Sequence, residues 1–289
     1  MKNITVLTAC RNRENNLNLM RKNVLELDNV SEHLIIDWSS DRKITLEKQS
    51  KARIIVKENE KNWWLSRAYN FGFNFVETEY ILKLDTESVM DSKLFNKLNY
   101  KDYDLIIFYK QEYNPGNFLV SKKLLDNVNG FNEYIFGWGW DDHDLINRIT
   151  KKSNNTKVLK IYGYISETSD LDKDRVEVRH LNSKFNKDRK YFYAIKKSFN
   201  SANSYISNLD VWKNQLLNYE DNDIKHFYSI KQLSNYIKLR HKFYFFKSFF
   251  MVLFPHRKIY RRIMPFFYSL FSEKRIYKLI GVNIYPYKT

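Results

Sequence analysis

The sequence predicts an α/β domain over residues 1–190 followed by a helical, basic and aromatic extension over residues 191–289. Three observations lead there. Short runs rich in β-branched and aromatic residues alternate with amphipathic stretches through the first half, the pattern of helices packed on a sheet. The charged residues that stand out in that half fall at the carboxyl ends of the runs, where open α/β sheets bind ligands. The net charge of +16 belongs to the second part: residues 1–189 hold 31 Lys+Arg against 28 Asp+Glu, residues 190–289 hold 18 against 5.

ITVLTAC (4–10) reads as the first strand, and NLNLMRKNVLEL (16–27) as a helix in which Leu17, Met20, Val24 and Leu27 recur at helical spacing. HLIIDWSS (33–40) and ARIIVKE (52–58) follow as strands, and SRAYNFGFNFVE (66–77) as a helix with Ser66 as its N-cap. YILKLDTE (80–87) is a strand that runs straight into acids, and DLIIFY (104–109) continues the sheet. The loop EYNPGN carries Pro115 and Gly116 as turn formers, and SKKLLDNVNGF reads as a helix stopped by Gly130. Beyond it, Leu145, Ile146 and Ile149 mark one face of a further helix.

With 43% apolar and 17% aromatic residues the chain has ample material for a core, which excludes a mainly disordered protein. One cysteine, Cys10, excludes an intramolecular disulfide framework, and its place inside a strand marks it as a core residue rather than a nucleophile. The first strand starts almost at once, leaving no room for a cleavable leader, so a cytoplasmic location is expected. From Lys225 to Thr289, 14 Lys+Arg and the single acid Glu273 are interleaved with 18 Phe and Tyr. The longest apolar run there, FFMVLF, is far short of the ~20 residues of a spanning helix. Basic and aromatic residues mixed over helical lengths suit a segment lying on an anionic membrane surface. They equally suit aromatics packed on the preceding domain with lysines as a solvated face.

Four clusters could carry chemistry. In LDTE (84–87), Asp85 and Glu87 at i and i+2 beyond a buried strand can offer carboxylates to a sugar hydroxyl and to a hard cation, or can close the strand in a solvated turn. Arg11, Arg13 and Arg67 near the same edge can bind phosphate oxygens bidentately, or pair with Glu14 or Asp91 at the surface. In FGWGWDDHDLINR (136–148), Asp141, Asp142 and Asp144 suit the first turn of a helix, but the preceding GWGW does not: its glycines let a loop bend and its indoles offer a face to a pyranose ring. His180, beside Arg179, has the imidazole a divalent transition metal takes.

Taken together, these blocks resemble the GT-A glycosyltransferases, and within them the β-1,4-galactosyltransferase type and the bacterial chondroitin and capsule polymerases. RNRENNL at 11–17 is similar to the arginine motif after that family's first strand, SRAYNFGF at 66–73 to its R-A-x-x-x-N-x-G-F helix, and LKLDTE at 82–87 to its D-x-D. The stretch 116–149, ending GWGWDDHDLINRI, resembles throughout the block that closes in G-W-G-x-E-D-D-D and an arginine, and Arg179-His180 falls where the family has its metal histidine. The resemblance spans roughly residues 3–190.

It implies a GT-A fold, a Rossmann-like mixed sheet flanked by helices that binds a nucleotide sugar. Thr8, Arg11, Arg13, Asp37, Arg67 and Asp85 would border the UDP-sugar, with Asp37 meeting uracil. Asp85, Glu87 and His180 would hold Mn²⁺ (or Mg²⁺). Asp142 stands at the catalytic base, and Trp138, Trp140, Asp141 and His143 at the acceptor. Four positions depart from the pattern: Glu87 replaces the second Asp of the motif, Glu177 a methionine ligand, His143 an acid that contacts acceptor, and Trp140 a glycine.

The function implied is metal-dependent, inverting transfer of a hexose or N-acetylhexosamine from a UDP-sugar to a hydroxyl of a glycan or lipid-linked glycan. Bacterial capsule or lipopolysaccharide synthesis at the inner face of the cell membrane, reached through residues 225–289, would be its setting. Two other readings stand beside it. One is a nucleic-acid binder using the basic aromatic tail, which acids at the groove would oppose, so no nucleic acid is expected. The other is a membrane-bound scaffold that kept the fold and lost activity.

Overall fold

A computed structural model describes residues 3–45, 51–60, 63–110, 115–135, 137–152, 155–167, 189–208, 219–221, 224–226 and 244–252. The chain runs β1 (Ile4–Cys10), α1 (Glu14–Leu25), β2 (Val30–Trp38), β3 (Ala52–Lys57), α2 (Leu65–Phe73), β4 (Tyr80–Lys83), β5 (Ser88–Met90) and α3 (Ser92–Asn96). It continues through β6 (Leu105–Tyr109), β7 (Asn117–Ser121), α4 (Lys122–Val128), α5 (Asp141–Lys152), β8 (Val158–Tyr162), β9 (Ile165–Glu167) and α6 (Arg189–Asn208). A small antiparallel pair, β10 (Tyr219–Asp221) and β11 (Ile224–His226), follows.

Seven strands make one sheet in the order β3-β2-β1-β4-β7-β6-β8. Pairings are parallel except at β7, which is antiparallel to both β4 and β6, so the sheet is mixed. The chain winds outward from β1 to β3, then returns to lay β4 on the other side of β1. That reversal opens a crevice at the carboxyl ends of β1 and β4, the place where such sheets bind ligands.

Both sheet faces are covered, which is why the central strands are apolar without alternation: every residue of β1 is buried. On one side, Val6, Ile35, Leu82 and Ile106 pack beneath α1 through Leu17, Met20 and Val24. On the other, Leu7, Ile36, Ile107 and Phe118 meet α2, α4 and α5 through Phe71, Leu125 and Leu145. Gly72 lets α2 come this close: a Cβ there would sit 2.8 Å from Leu7 Cδ1 and 2.9 Å from Ile36 Cγ1. Cys10 lies in the core as expected, its thiol pushed up to about 12 by burial.

The structure corrects two local expectations. Ser66 is not an N-cap; α2 begins at Leu65 behind Trp64, and the Ser66 hydroxyl donates to Ile135 O, 3.3 Å away. Trp64 Nε1 donates to the same carbonyl at 3.0 Å, so the start of α2 is fastened to the loop that leads into GWGW. The second is at α4, where Asn129 (φ 57°) shares with Gly130 (φ 61°) the left-handed stop expected of Gly130 alone, and Gly130 N–H returns to Leu125 O.

Candidate active site

Two loops build the β1 side of the crevice. Asn12 and Ser39 both take left-handed φ, and the loops are stapled: Asn12 N–H donates to Ser40 Oγ, and the Asn12 amide exchanges hydrogen bonds with Asp41. Asp37 sits at the base of this cleft, 1% exposed. Its Oδ1 accepts from Ser40 N–H at 3.0 Å, while its buried Oδ2 has no hydrogen-bond partner among the described residues. A buried carboxylate oxygen needs a donor, which a water or a ligand can supply here. Arg11 donates to Glu60 O at 3.0 Å, and Arg67 lies 3.8 Å from the Glu60 carboxylate, so Glu60 gathers both arginines at this edge. Thr8 is different. Its side chain is wholly buried, its hydroxyl bonded to His33 Nε2 at 3.1 Å beneath α1, which removes it from the list of side chains able to reach a nucleotide.

The β4 side is an alternation of acids and cations. Arg13 pairs with Glu87 at 3.3 Å. Asp85 pairs with Lys83 at 2.9 Å, and its backbone N–H is held by Asn117 Oδ1 in β7. Lys83 also lies 3.1 Å from Asp142 Oδ1 at the start of α5. Residues that the sequence placed in separate motifs, Asp85 and Asp142, thus share one ammonium. Nothing in LKLD distinguished Lys83 from a solvated strand-end lysine, yet it is fully buried, donates to Gly116 O, and lies 4.8 Å from the Tyr69 ring centre.

The electrostatics follow from three acids facing one lysine. Burial would lower Lys83, but Asp142 and Asp85 outweigh it and hold the ammonium well above the ordinary lysine range. Burial raises Asp142 well above the usual carboxylate range; Lys83 opposes this, and Asp141 and Asp85 add to it. Asp141 is raised for the same first reason. Asp144 plays another part, bonded at 2.7 Å to Arg148 inside the helix packing.

The GWGW loop is held from behind by α6. A Cβ at Gly137 (φ 77°) would run into the ring of Phe199, and one at Gly139 (φ 82°) into the amide of Asn200. Asn203 Nδ2 donates to Gly139 O at 2.8 Å, and Lys196 Nζ lies 3.9 Å from the centre of the Trp138 ring. Small residues Ala194, Ser198 and Ala202 recur at i+4 and are wholly buried, which lets α6 approach closely. Phe199 in turn meets Phe245 edge to face at 4.9 Å, and Ser248 Oγ donates to Lys197 O, so the helical residues 244–252 pack on α6. This part of the basic aromatic extension is therefore packing; residues 253–289 lie outside the described residues.

Trp140 has φ 73°, a conformation glycine adopts freely and a bulky residue adopts only at a cost of roughly 1–3 kcal/mol. Its ring stacks obliquely on His143, 5.7 Å between centres. Trp140 at the end of the loop and His143 in the first turn of α5 thus touch each other.

Asp85 and Glu87 offer hard oxygens at one strand end and fit a divalent cation in kind. Among the described residues no group of three or more His, Cys, Asp or Glu gathers around such an ion, and His180 lies outside them.

Residues 94–170 match the family model described as the N-terminal domain of galactosyltransferase. No curated protein matches the chain. Among solved structures, the catalytic domain of Drosophila β1,4-galactosyltransferase 7 in complex with xylobiose aligns at 15% identity over 59% of this chain and 72% of its own, TM-score 0.45. The TarS 1-349 fragment from S. aureus aligns at 13% over 86% and 80%, TM-score 0.49. A mannosyltransferase from Pyrobaculum calidifontis in complex with GDP-Man and Mn2+ aligns at 11% over 96% and 84%, TM-score 0.48. The chain resembles the GT-A glycosyltransferases, in a mixed sheet flanked by helices and in a galactosyltransferase-type segment over residues 94–170.

Proposed function

We propose that the protein is a metal-dependent inverting glycosyltransferase that moves a hexose or N-acetylhexosamine from a UDP-sugar to a hydroxyl of a glycan acceptor, in the building of a bacterial capsule or lipopolysaccharide. The observation that carries this reading is the junction at Lys83, which brings Asp85 of the donor edge and Asp142 of the GWGW block to one ammonium. Asp37, with its unpartnered Oδ2, takes the imide N–H of uracil. Arg11, Arg13 and Arg67 line the path of the diphosphate.

Asp142 accepts the proton of the acceptor hydroxyl as that oxygen bonds to the anomeric carbon. The bond from that carbon to the UDP oxygen breaks with its electrons going to the diphosphate, so an α-linked donor gives a β-linked product. Asp85, Glu87 and His180 are the residues to hold Mn²⁺ or Mg²⁺, which when bound neutralises charge on the diphosphate. Trp138 and Asp141 hold the acceptor sugar, and the Trp140–His143 pair shapes its specificity. The test is a panel of UDP- and GDP-sugars incubated with Mn²⁺ and no acceptor. One UDP-sugar is expected to be hydrolysed slowly and to lose this on chelation with EDTA; absence of hydrolysis and of UDP binding across the panel would refute the reading.

Membrane association is proposed for residues 253–289, where the cluster Arg257, Lys258, Arg261 and Arg262 lies among aromatics. Because residues 244–252 pack on α6, charge replacement is a cleaner test than truncation. Changing these four to Gln is expected to release the full chain from anionic vesicles at ~0.15 M salt, where wild type sediments; equal sedimentation would sink the proposal.

A further inference from the structure

Lys83 is a fully buried cation that the transfer chemistry above does not use. Strand alternation sends it between the rings of Tyr69 and Phe118, at 4.8 and 5.7 Å. An ammonium is expensive to desolvate in such a place, and a hydrophobic residue would fill it at less cost. What Lys83 does that a hydrophobic residue could not is reach two carboxylates from different parts of the chain, Asp85 at 2.9 Å and Asp142 at 3.1 Å, while Gly116 O fixes its direction.

We propose that Lys83 is a positioning residue: it fixes the Asp142 carboxylate at a set distance from Asp85, so that the proton acceptor and the donor-side acid form one rigid unit. Two like charges this close would otherwise turn their side chains apart. The ammonium approaches Asp142 through Oδ1, at 3.1 Å. Lys83 thus holds Asp142 by its Oδ1 and leaves Oδ2 to take the substrate proton. The inference rests on Asp142 being the base.

The experiment compares wild type with K83M, K83R, D142N and K83M/D142N. Rates are read as hydrolysis of UDP-galactose, UDP-glucose and UDP-N-acetylglucosamine, and donor-site integrity as UDP binding with Mn²⁺ by calorimetry. K83M is expected to lower the hydrolysis rate about 100-fold with unchanged KM, K83R to recover about tenfold of that, and K83M to add nothing to D142N. Additive losses in the double variant would overturn the proposal. So would a crystal structure of K83M with the Asp142 carboxylate unmoved, an outcome that decides the matter even if no sugar is hydrolysed. If K83M does not fold, K83R and the charge-balanced K83M/D142N carry the test, the double variant being expected to match D142N alone. Wild-type hydrolysis by D142N would instead remove the base assignment itself.

Discussion

Asp142→Asn is expected to lower sugar transfer by about 10³-fold while leaving the affinity for UDP within about threefold. The substitution keeps the size and polarity of the side chain and removes its ability to take a proton. Asp37 is held by Ser40 N–H, and Asn keeps the volume of the side chain beside Lys83, so nucleotide binding should survive. Transfer by Asp142→Asn at near wild-type rate would eliminate the assignment. The same residue sets the pH dependence. A free Asp titrates near ~3.9, whereas burial, aided by Asp141 and Asp85 and opposed by Lys83, raises Asp142. A base works only when ionised, so activity should rise with pH through an apparent pKa above the ordinary carboxylate range. That value belongs to the Asp85, Asp141, Asp142 and Lys83 group as a whole. An acid limb at or below ~4 would contradict the burial described here.

The second large effect is on stability. Arg148→Met should destabilise the fold by about 3–5 kcal/mol in urea unfolding, because it strands Asp144, 1% exposed, without its 2.7 Å partner. Arg148 also donates to Val128 O at 2.8 Å, tying α5 to the end of α4. Pairing the change with Asp144→Leu should recover much of the loss, since a matched apolar pair carries no uncompensated charge. A single-variant loss under ~1 kcal/mol would show that the pair is dispensable. The expected consequence for catalysis is separate from stability: α5 begins with Asp141 and Asp142, so loosening its anchor should lower activity at temperatures where the variant is still folded.

The sheet was legible where strands are continuous apolar runs. ITVLTAC, HLIIDW and LIIFY need both faces covered, and the sequence shows it, whereas ARIIVK is an equally apolar run that forms the partly exposed edge strand β3. β7 was not legible, because FLV between a Pro-Gly loop and a helix is too short to show a period; its antiparallel insertion between β4 and β6 comes from pairing, not pattern. Of the three acids within 141–144, composition could not say that Asp144 faces the core while Asp142 faces Lys83, since both satisfy a helix start. Lys83 escaped notice because a lysine before a turn normally points to water. Only the closure of β7 and α5 over it makes it buried. Arg13 and Glu87 stood in separate motifs, and their pairing appears once β1 and β4 lie side by side.

The clamp of α6 on the GWGW loop bears on how acceptor preference could be re-engineered. The loop's two glycines owe their tight fit to Phe199 and Asn200, and Trp138 has a lysine of the same helix against its ring. Grafting residues 137–143 from a relative would leave those partners facing the wrong shape. On the proposed reading of this loop as the acceptor site, loop and helix form a matched pair, and a transplant of both should travel where the loop alone would not.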